Sequence, residues 1–199
     1  PSFKIGELFD YRLFCRDHLI PNSGPPWGFD PAFDLDVGLV QLEGNLPVMN
    51  RRLVPGIGEI SAVVDVTDII RNPNSDHVKV VKAGAGTPLT KGFISAFGMT
   101  VVIRHFSGGL LEARDLIEVI ANDGQMAGPG DSGAPVVFQA KSPDADAAVR
   151  QMLGVVVGGS PWGAIVEAQD RDKKRPAGKG AAYVLPFQAV LDAFTVELV

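Results

Sequence analysis

The chain has 199 residues, 46% hydrophobic and 21% charged, with a formal net charge of -5. That is the composition of a globular protein with enough apolar material for a sizeable core, arranged as one large domain or two small ones. The mild acidic excess excludes a broad basic surface for nucleic acid. No apolar run reaches the ~18 residues of a membrane-spanning helix, and the single cysteine, Cys15, excludes an internal disulfide.

The chain opens PSFK, with no apolar stretch of signal-peptide length behind it. Nothing beside Cys15 resembles an activating pair, so it reads as a buried or loose thiol. A chain without disulfides suits a reducing compartment, and an intracellular location is the expectation. Pro21–Pro31 (PNSGPPWGFDP) is a loop by its turn residues. From there on, short runs rich in valine and isoleucine alternate with glycine and proline, the pattern of many short strands. The predicted strands are Asp36–Leu42, Gly58–Val66, Val78–Lys82, Gly92–Phe97, Met99–Arg104, Leu116–Ile120, Ala134–Gln139, Met152–Val157 and Ala182–Leu185.

Near the C-terminus the periodicity changes. In Pro186–Phe194 (PFQAVLDAF), Phe187, Val190, Leu191 and Phe194 recur at helical spacing, and Pro186 fits a first turn. A second helix is open at Asn72–His77 or at Asp144–Gln151, the latter richer in helix formers. The cationic run Arg171–Arg175, flanked by Asp170 and Pro176, reads as an exposed loop. The predicted fold is mostly β, with a terminal helix.

One heptapeptide carries chemistry: GDSGAPV, Gly130–Val136. Gly, Asp and Ser are all turn formers, so Ser132 can be a plain turn residue. The same glycines allow a tight bend whose N–H groups, those of Gly130 and Ser132, converge on a developing oxyanion. Pro135 confines the following strand to a start or an edge there. A nucleophilic serine needs a base, normally a histidine oriented by a carboxylate. Asp36 heads a strongly apolar strand, where an acidic residue is out of place unless it has a role. The alternative is that it closes the turn begun at Asp34.

These segments together resemble the trypsin-like (chymotrypsin-fold) serine proteases. GDSGAPV resembles their nucleophile motif, GDSGGP or GDSGSP. Asp36 in DVGLVQL resembles the strand that carries the triad aspartate, and the 96 residues from Asp36 to Ser132 fit that family. Val81–Gly92 (VKAGAGTPLTKG) is similar to the segment K-x-G-x-x-T-G-x-T-x-G, with Lys82, Gly84, Thr87, Thr90 and Gly92 in register and Pro88 where glycine is usual. Leu153–Gly159 (LGVVVGG) resembles the strand lining the substrate cleft, with Val157 and Gly158 in place of the commoner Ser-Trp pair. Ala181–Tyr183 and the helix resemble the end of the family's domain.

The resemblance implies a chymotrypsin-like double β-barrel whose first barrel is incomplete in this chain. Residues 1–50 would be the C-terminal part of that barrel, and residues 51–199 the second barrel with the nucleophile loop and the helix. It implies peptide-bond hydrolysis through an acyl-enzyme on Ser132, with Asp36 orienting the histidine and the N–H groups of Gly130 and Ser132 as oxyanion hole. Met126, six residues before the serine, would floor the substrate pocket, and Gly159 and Ala181 would wall it. An apolar floor implies an apolar P1 side chain. Asp131 would support the turn through a buried ion pair with a freed N-terminus or an internal substitute, Pro1 not being at the matching position. No cofactor or metal is implied, and the substrate would be a peptide or protein, with no nucleic acid and no membrane as partner.

The histidine is the gap. In this family it precedes the aspartate by several dozen residues, and only 35 residues precede Asp36. His18 (FCRDHLIP) is too near and lacks the motif, whereas His77 and His105 follow Asp36 in the wrong order. Three scattered histidines also have no metal-ligand spacing. The leading expectation is that the chain is the C-terminal fragment of a protease, with the histidine on an N-terminal companion fragment held to it by barrel strands. The cut between them could be autoproteolytic. The alternatives are a catalytically inactive pseudoprotease serving as a binding or regulatory module, and His18 acting in a remodelled first lobe. An α/β-hydrolase is excluded, since it needs G-x-S-x-G leading into a helix, and PVVF after the loop reads as a strand.

Overall fold

The computed structural model describes residues 6–15, 33–42, 53–71, 79–104, 110–140, 149–160 and 180–194. The protein is mostly β. Strand β1 (Gly6–Cys15) pairs antiparallel with β2 (Phe33–Leu42). The two-residue strands β3 (Leu53–Val54) and β4 (Gly58–Glu59) form a small ribbon. Then come β5 (Ala62–Val63), α1 (Val66–Arg71), β6 (Lys79–Ala83), β7 (Leu89–Arg104) and β8 (Leu110–Ala121). The chain continues through β9 (Pro135–Ala140), β10 (Val149–Ser160), β11 (Ala181–Pro186) and α2 (Phe187–Phe194).

Nine strands share one sheet. Its order is β1-β2-β8-β11-β10-β9-β6-β7, with β5 beside β10 and β7 also paired with β8. The expected double β-barrel is therefore not what forms. β2 joins β8 directly, at the pair Phe33–Ala113, and the other sheet among the described residues is the β3–β4 ribbon. The physical reason lies in the supply of strands. Among the described residues only β1 and β2 come from the first 50, and two strands cannot curl around a core of their own.

Most predicted strands fall on observed ones, and β9 begins at Pro135, where the missing N–H does least harm. The two runs on either side of Gly98 are one strand, β7. It keeps its pairing with β8 through register shifts, with Gly98 at φ 64°. Gly58–Val66 does not form the single predicted strand. It divides into β4, β5 and the start of α1, because Asp65 caps that helix: its Oδ1 accepts the Thr67 N–H at 2.8 Å. These hydrogen bonds from Thr67 hold the Asp65 carboxyl below its usual range. Residues 149–151 of the proposed Asp144–Gln151 helix open β10 instead, paired with β9 and β5. Asn72–His77, Pro21–Pro31 and Arg171–Arg175 lie outside the described residues.

Strand β11 shows how the core is built. Ala181–Leu185 are all buried, with no alternation, because the strand is covered on both faces. Ala182 and Val184 pack with Val80, Val119, Val136 and Leu153. Tyr183 and Leu185 face the other way, onto Val190 of α2 and Leu116. The predicted apolar stripe of the C-terminal helix thus closes the far side of the sheet. Among the described residues no helix is long and apolar enough to cross a membrane.

Candidate functional site

Ser132 lies in the loop between β8 and β9, and it is exposed. Gly130 and Gly133 flank it at φ 90° and 81°, a region that side-chain-bearing residues avoid. The loop is tied to β10 at Val156, whose carbonyl accepts the Gly133 N–H at 2.8 Å and whose N–H is donated to Ala134 O at 3.0 Å. Two further bonds close the bend: Asp131 N–H to Gly128 O at 3.1 Å and Ala134 N–H to Asp131 O at 2.8 Å. Among the described residues, the N–H groups of Gly130 and Ser132 have no acceptor. They are the pair the sequence nominates for an oxyanion.

The side chain next to Ser132 points the other way. Asp131 is 1% exposed, and its carboxylate meets Lys82, which is fully buried, at 2.9 Å. Oδ1 accepts the backbone N–H groups of Gly86 (2.8 Å) and Thr87 (3.1 Å). Oδ2 accepts Lys82 Nζ, the Thr87 hydroxyl (2.5 Å) and the Gly128 N–H (2.9 Å). The ammonium is equally satisfied, since Nζ also donates to Thr87 O and Thr87 Oγ1, each at 2.6 Å. An ammonium has three protons, and here each has an acceptor. Burial alone would raise the Asp131 carboxyl. The bonds from Thr87, Gly128 and Lys82 outweigh it and hold the group far below the usual carboxylate range.

Lys82, Gly84, Thr87, Thr90 and Gly92 of the K-x-G-x-x-T-P-x-T-x-G segment each have a physical role. Lys82 and Thr87 grip Asp131. A Cβ on Gly84 would lie 2.9 Å from both Asp131 Cγ and Lys82 Nζ, and one on Gly86 would strike the Pro129 carbonyl. Thr90 Oγ1 donates to Met126 O at 2.9 Å, and a Cβ on Gly92 would come within 2.9 Å of Met126 Sδ. The segment is the seat of the loop that carries Ser132. Sequence reasoning missed this role, although it had both Lys82 and the need for an internal counter-charge in view. The internal substitute for a chain terminus is Lys82.

The other nominated residues are placed unevenly. Met126 is fully buried within the core cluster of Val80, Ile117 and Leu153. Ala181 is buried and Gly159 is exposed. Gly159 and Ala181 lie together: a Cβ on Gly159 would meet Ala181 O at 3.3 Å and the carbonyl of Ala127, the residue after Met126, at 3.4 Å. Gly180 N–H, beside them, bonds Gly124 O at 2.8 Å. Asp36 is on β2, opposite Leu13 of β1. Strands β8 and β11 stand between β2 and β10, to which the Ser132 loop is tied, and the side chain of Asp36 lies outside what is described. His18, His77, His105 and the side chain of Cys15 lie outside what is described. Among the described residues no group of His, Cys, Asp and Glu is placed to hold a metal ion.

No protein-family model matches the chain, and no curated protein matches it. Among solved structures it is similar to a glutamic acid-specific serine protease that uses a histidine triad in substrate binding. The identity is 19% and the TM-score 0.49, over 82% of this chain and 67% of that one. It is similar also to a chymotrypsin of Cellulomonas bogoriensis (20% identity, TM-score 0.49, over 89% of this chain and 72% of that one). A third is protease A of Thermobifida fusca (19%, 0.48, over 82% and 68%). At these values the assignment of Ser132 rests on its own loop.

Proposed function

We propose that this chain carries the nucleophile of a serine endopeptidase. Ser132 Oγ attacks a peptide carbonyl, and a histidine takes its proton and returns it to the leaving amine. Asp36 orients that histidine, and an acyl-enzyme on Ser132 is then hydrolysed. The observation that carries this reading is the loop itself. An exposed serine sits between two glycines of positive φ, with the adjacent Gly130 and Ser132 N–H groups unengaged while their neighbours' are bonded. A plain surface turn has no need of an aspartate buried beneath it and bonded on both oxygens. The histidine is assigned to a polypeptide segment that accompanies this one, because none of His18, His77 and His105 has the family's context and order. An uncharged Met126, with the small residues Gly159 and Ala181 as walls, would favour an apolar P1 side chain over a basic one.

Labelling with a serine-reactive fluorophosphonate tests the reading. The native preparation, with any segment that accompanies this chain, is expected to be modified at Ser132, and Ser132→Ala to take no label. Absence of label in that preparation would overturn the enzyme and leave a binding module on the same fold. A peptide series varied only at P1 tests specificity, and a preference for arginine would sink the apolar assignment.

A further inference from the structure

The outer face of β6, β9 and β10 is apolar where the β3–β4 ribbon covers it, with Val54, Ile57 and Ile60 packed on Val81, Val137 and Met152. One row further along the same strands it turns cationic. Gln139 of β9 is paired with Arg150 of β10, and Lys79 of β6 lies beside Gln139, one residue beyond the pair Val80–Phe138. Side chains alternate along a strand, so Lys79, Gln139 and Arg150 share the face of Val81, Val137 and Met152. Neighbouring strands are about 4.8 Å apart, which separates the Lys79 and Arg150 backbones by roughly 10 Å, with Gln139 between them.

Arg150 is held but not paired. A Cβ on Gly58 would lie 3.0 Å from its Nη1 and 3.1 Å from its Cζ, so the ribbon rests on the guanidinium. The Arg150 carbonyl is fixed as well, accepting the Ser61 N–H and hydroxyl, each at 2.9 Å. Nε is buried and has no hydrogen-bond partner among the described residues. Glu59, next to Gly58, offers none. It stands opposite Leu53, and both are exposed, whereas the pair Val54–Gly58 faces the sheet. Lys79 and Gln139 are exposed and Arg150 is half-buried. A buried donor of a charged group without an acceptor costs stability, so this arginine is poorly explained as a structural residue.

We propose that Arg150, Gln139 and Lys79 form a docking site for an acidic polypeptide segment. Arg150 takes one carboxylate, whose two oxygens match the fork of guanidinium donors. Lys79 takes a second, and the Gln139 amide donates between them. Acidic residues at alternate positions of an extended segment are about 7 Å apart, within the reach of two long side chains rooted roughly 10 Å apart. The site lies toward the far end of β9 from Pro135, where the Ser132 loop enters. It does not depend on Ser132 being a nucleophile.

Fluorescence anisotropy tests this with the native preparation and a labelled, end-blocked peptide of Glu-Gly repeats. Saturable binding is expected at low ionic strength, weakened about tenfold or more in Arg150→Gln. Arg150→Lys and Lys79→Gln should each weaken it less, and the matching Gln-Gly peptide should not bind. Arg150→Met keeps the bulk of the stem and removes the unpaired donor, so its thermal midpoint should be no lower than that of wild type. No saturable binding, or binding unchanged in Arg150→Gln, would overturn the proposal. So would a lowered midpoint in Arg150→Met, which would make the guanidinium a structural group. Displacement by inorganic phosphate at the peptide's own concentration would show a small-anion site instead. Residues 141–148, which join β9 to β10 outside the described residues, include Asp144 and Asp146. Binding that appears only in the double variant Asp144→Asn, Asp146→Asn would assign Arg150 to the chain's own loop and overturn the proposal too.

Discussion

Lys82 Nζ and Asp131 Oδ2 are 2.9 Å apart, and neither side chain has any exposure to solvent. Two opposite charges so placed give up their hydration entirely, and only near-complete hydrogen bonding offsets that loss. Here the offset comes from one threonine, two turn amides and one loop amide.

Removal of one partner should therefore be costly. Lys82→Met leaves a buried carboxylate without its counter-charge, and a loss of about 3–5 kcal/mol is expected. Pairing it with Asp131→Asn should recover about 1 kcal/mol or more, since the amide oxygen still accepts while the stranded charge is gone. Urea denaturation of the two variants checks this, and a double variant less stable than Lys82→Met would contradict it.

The acid side of the stability profile should carry the signature of Asp131. Its folded carboxyl is held below the ordinary value of 3.8, so the unfolded chain takes up the proton first. The stability it confers is complete above about pH 5 and is lost as pH falls from there toward the folded value. Denaturant midpoints followed from pH 6 downward should drop more steeply in wild type than in Asp131→Asn below about pH 4. Parallel curves would rule this out.

Gly84 and Lys82 should not behave as independent sites. Gly84→Ala drives a Cβ into the Asp131 carboxylate and the ammonium, at a cost of about 1–3 kcal/mol. In the Lys82→Met background part of that collision has no object, so the two losses should fall short of their sum by at least about 0.5 kcal/mol. Gly124→Ala is the control. It meets nothing within 4 Å at φ 64°, so it should cost about 1–2 kcal/mol from backbone strain alone and add to Lys82→Met.

Ser132→Ala should change unfolding free energy by no more than about 0.5 kcal/mol, as for an exposed residue without packing partners. Loss of labelling in a fully folded variant would then belong to the hydroxyl. Thermal melts run beside the labelling reaction separate the two.

The sequence was legible where local preference and tertiary demand agree. The valine-rich runs of β6, β9 and β10 are such places, and so are Pro135 at the start of a strand and the apolar stripe of α2. It was illegible where pairing overrides propensity. β1 (GELFDYRLFC) has no β-branched residue and is not among the predicted strands, yet it pairs along β2 with register shifts at Leu8/Asp10 and Phe14/Cys15. VTDIIR is rich in β-branched residues and still forms α1, because Asp65 caps it. At the site, Ser132 and its glycines announce themselves in one heptapeptide. The grip of Lys82 and Thr87 does not, because it joins stretches more than 40 residues apart, a relation that no local pattern encodes.

The turn Gly84–Pro88 would attract anyone choosing where to open, tag or circularly permute this chain. It is short and built of small residues, it lies between two strands, and Ala85, Gly86 and Pro88 are exposed. Those are the marks of a tolerant position, and here they mislead. The amides of Gly86 and Thr87 are bonded to the carboxylate next to Ser132, so a break or graft there would loosen a different loop, the one that carries Ser132.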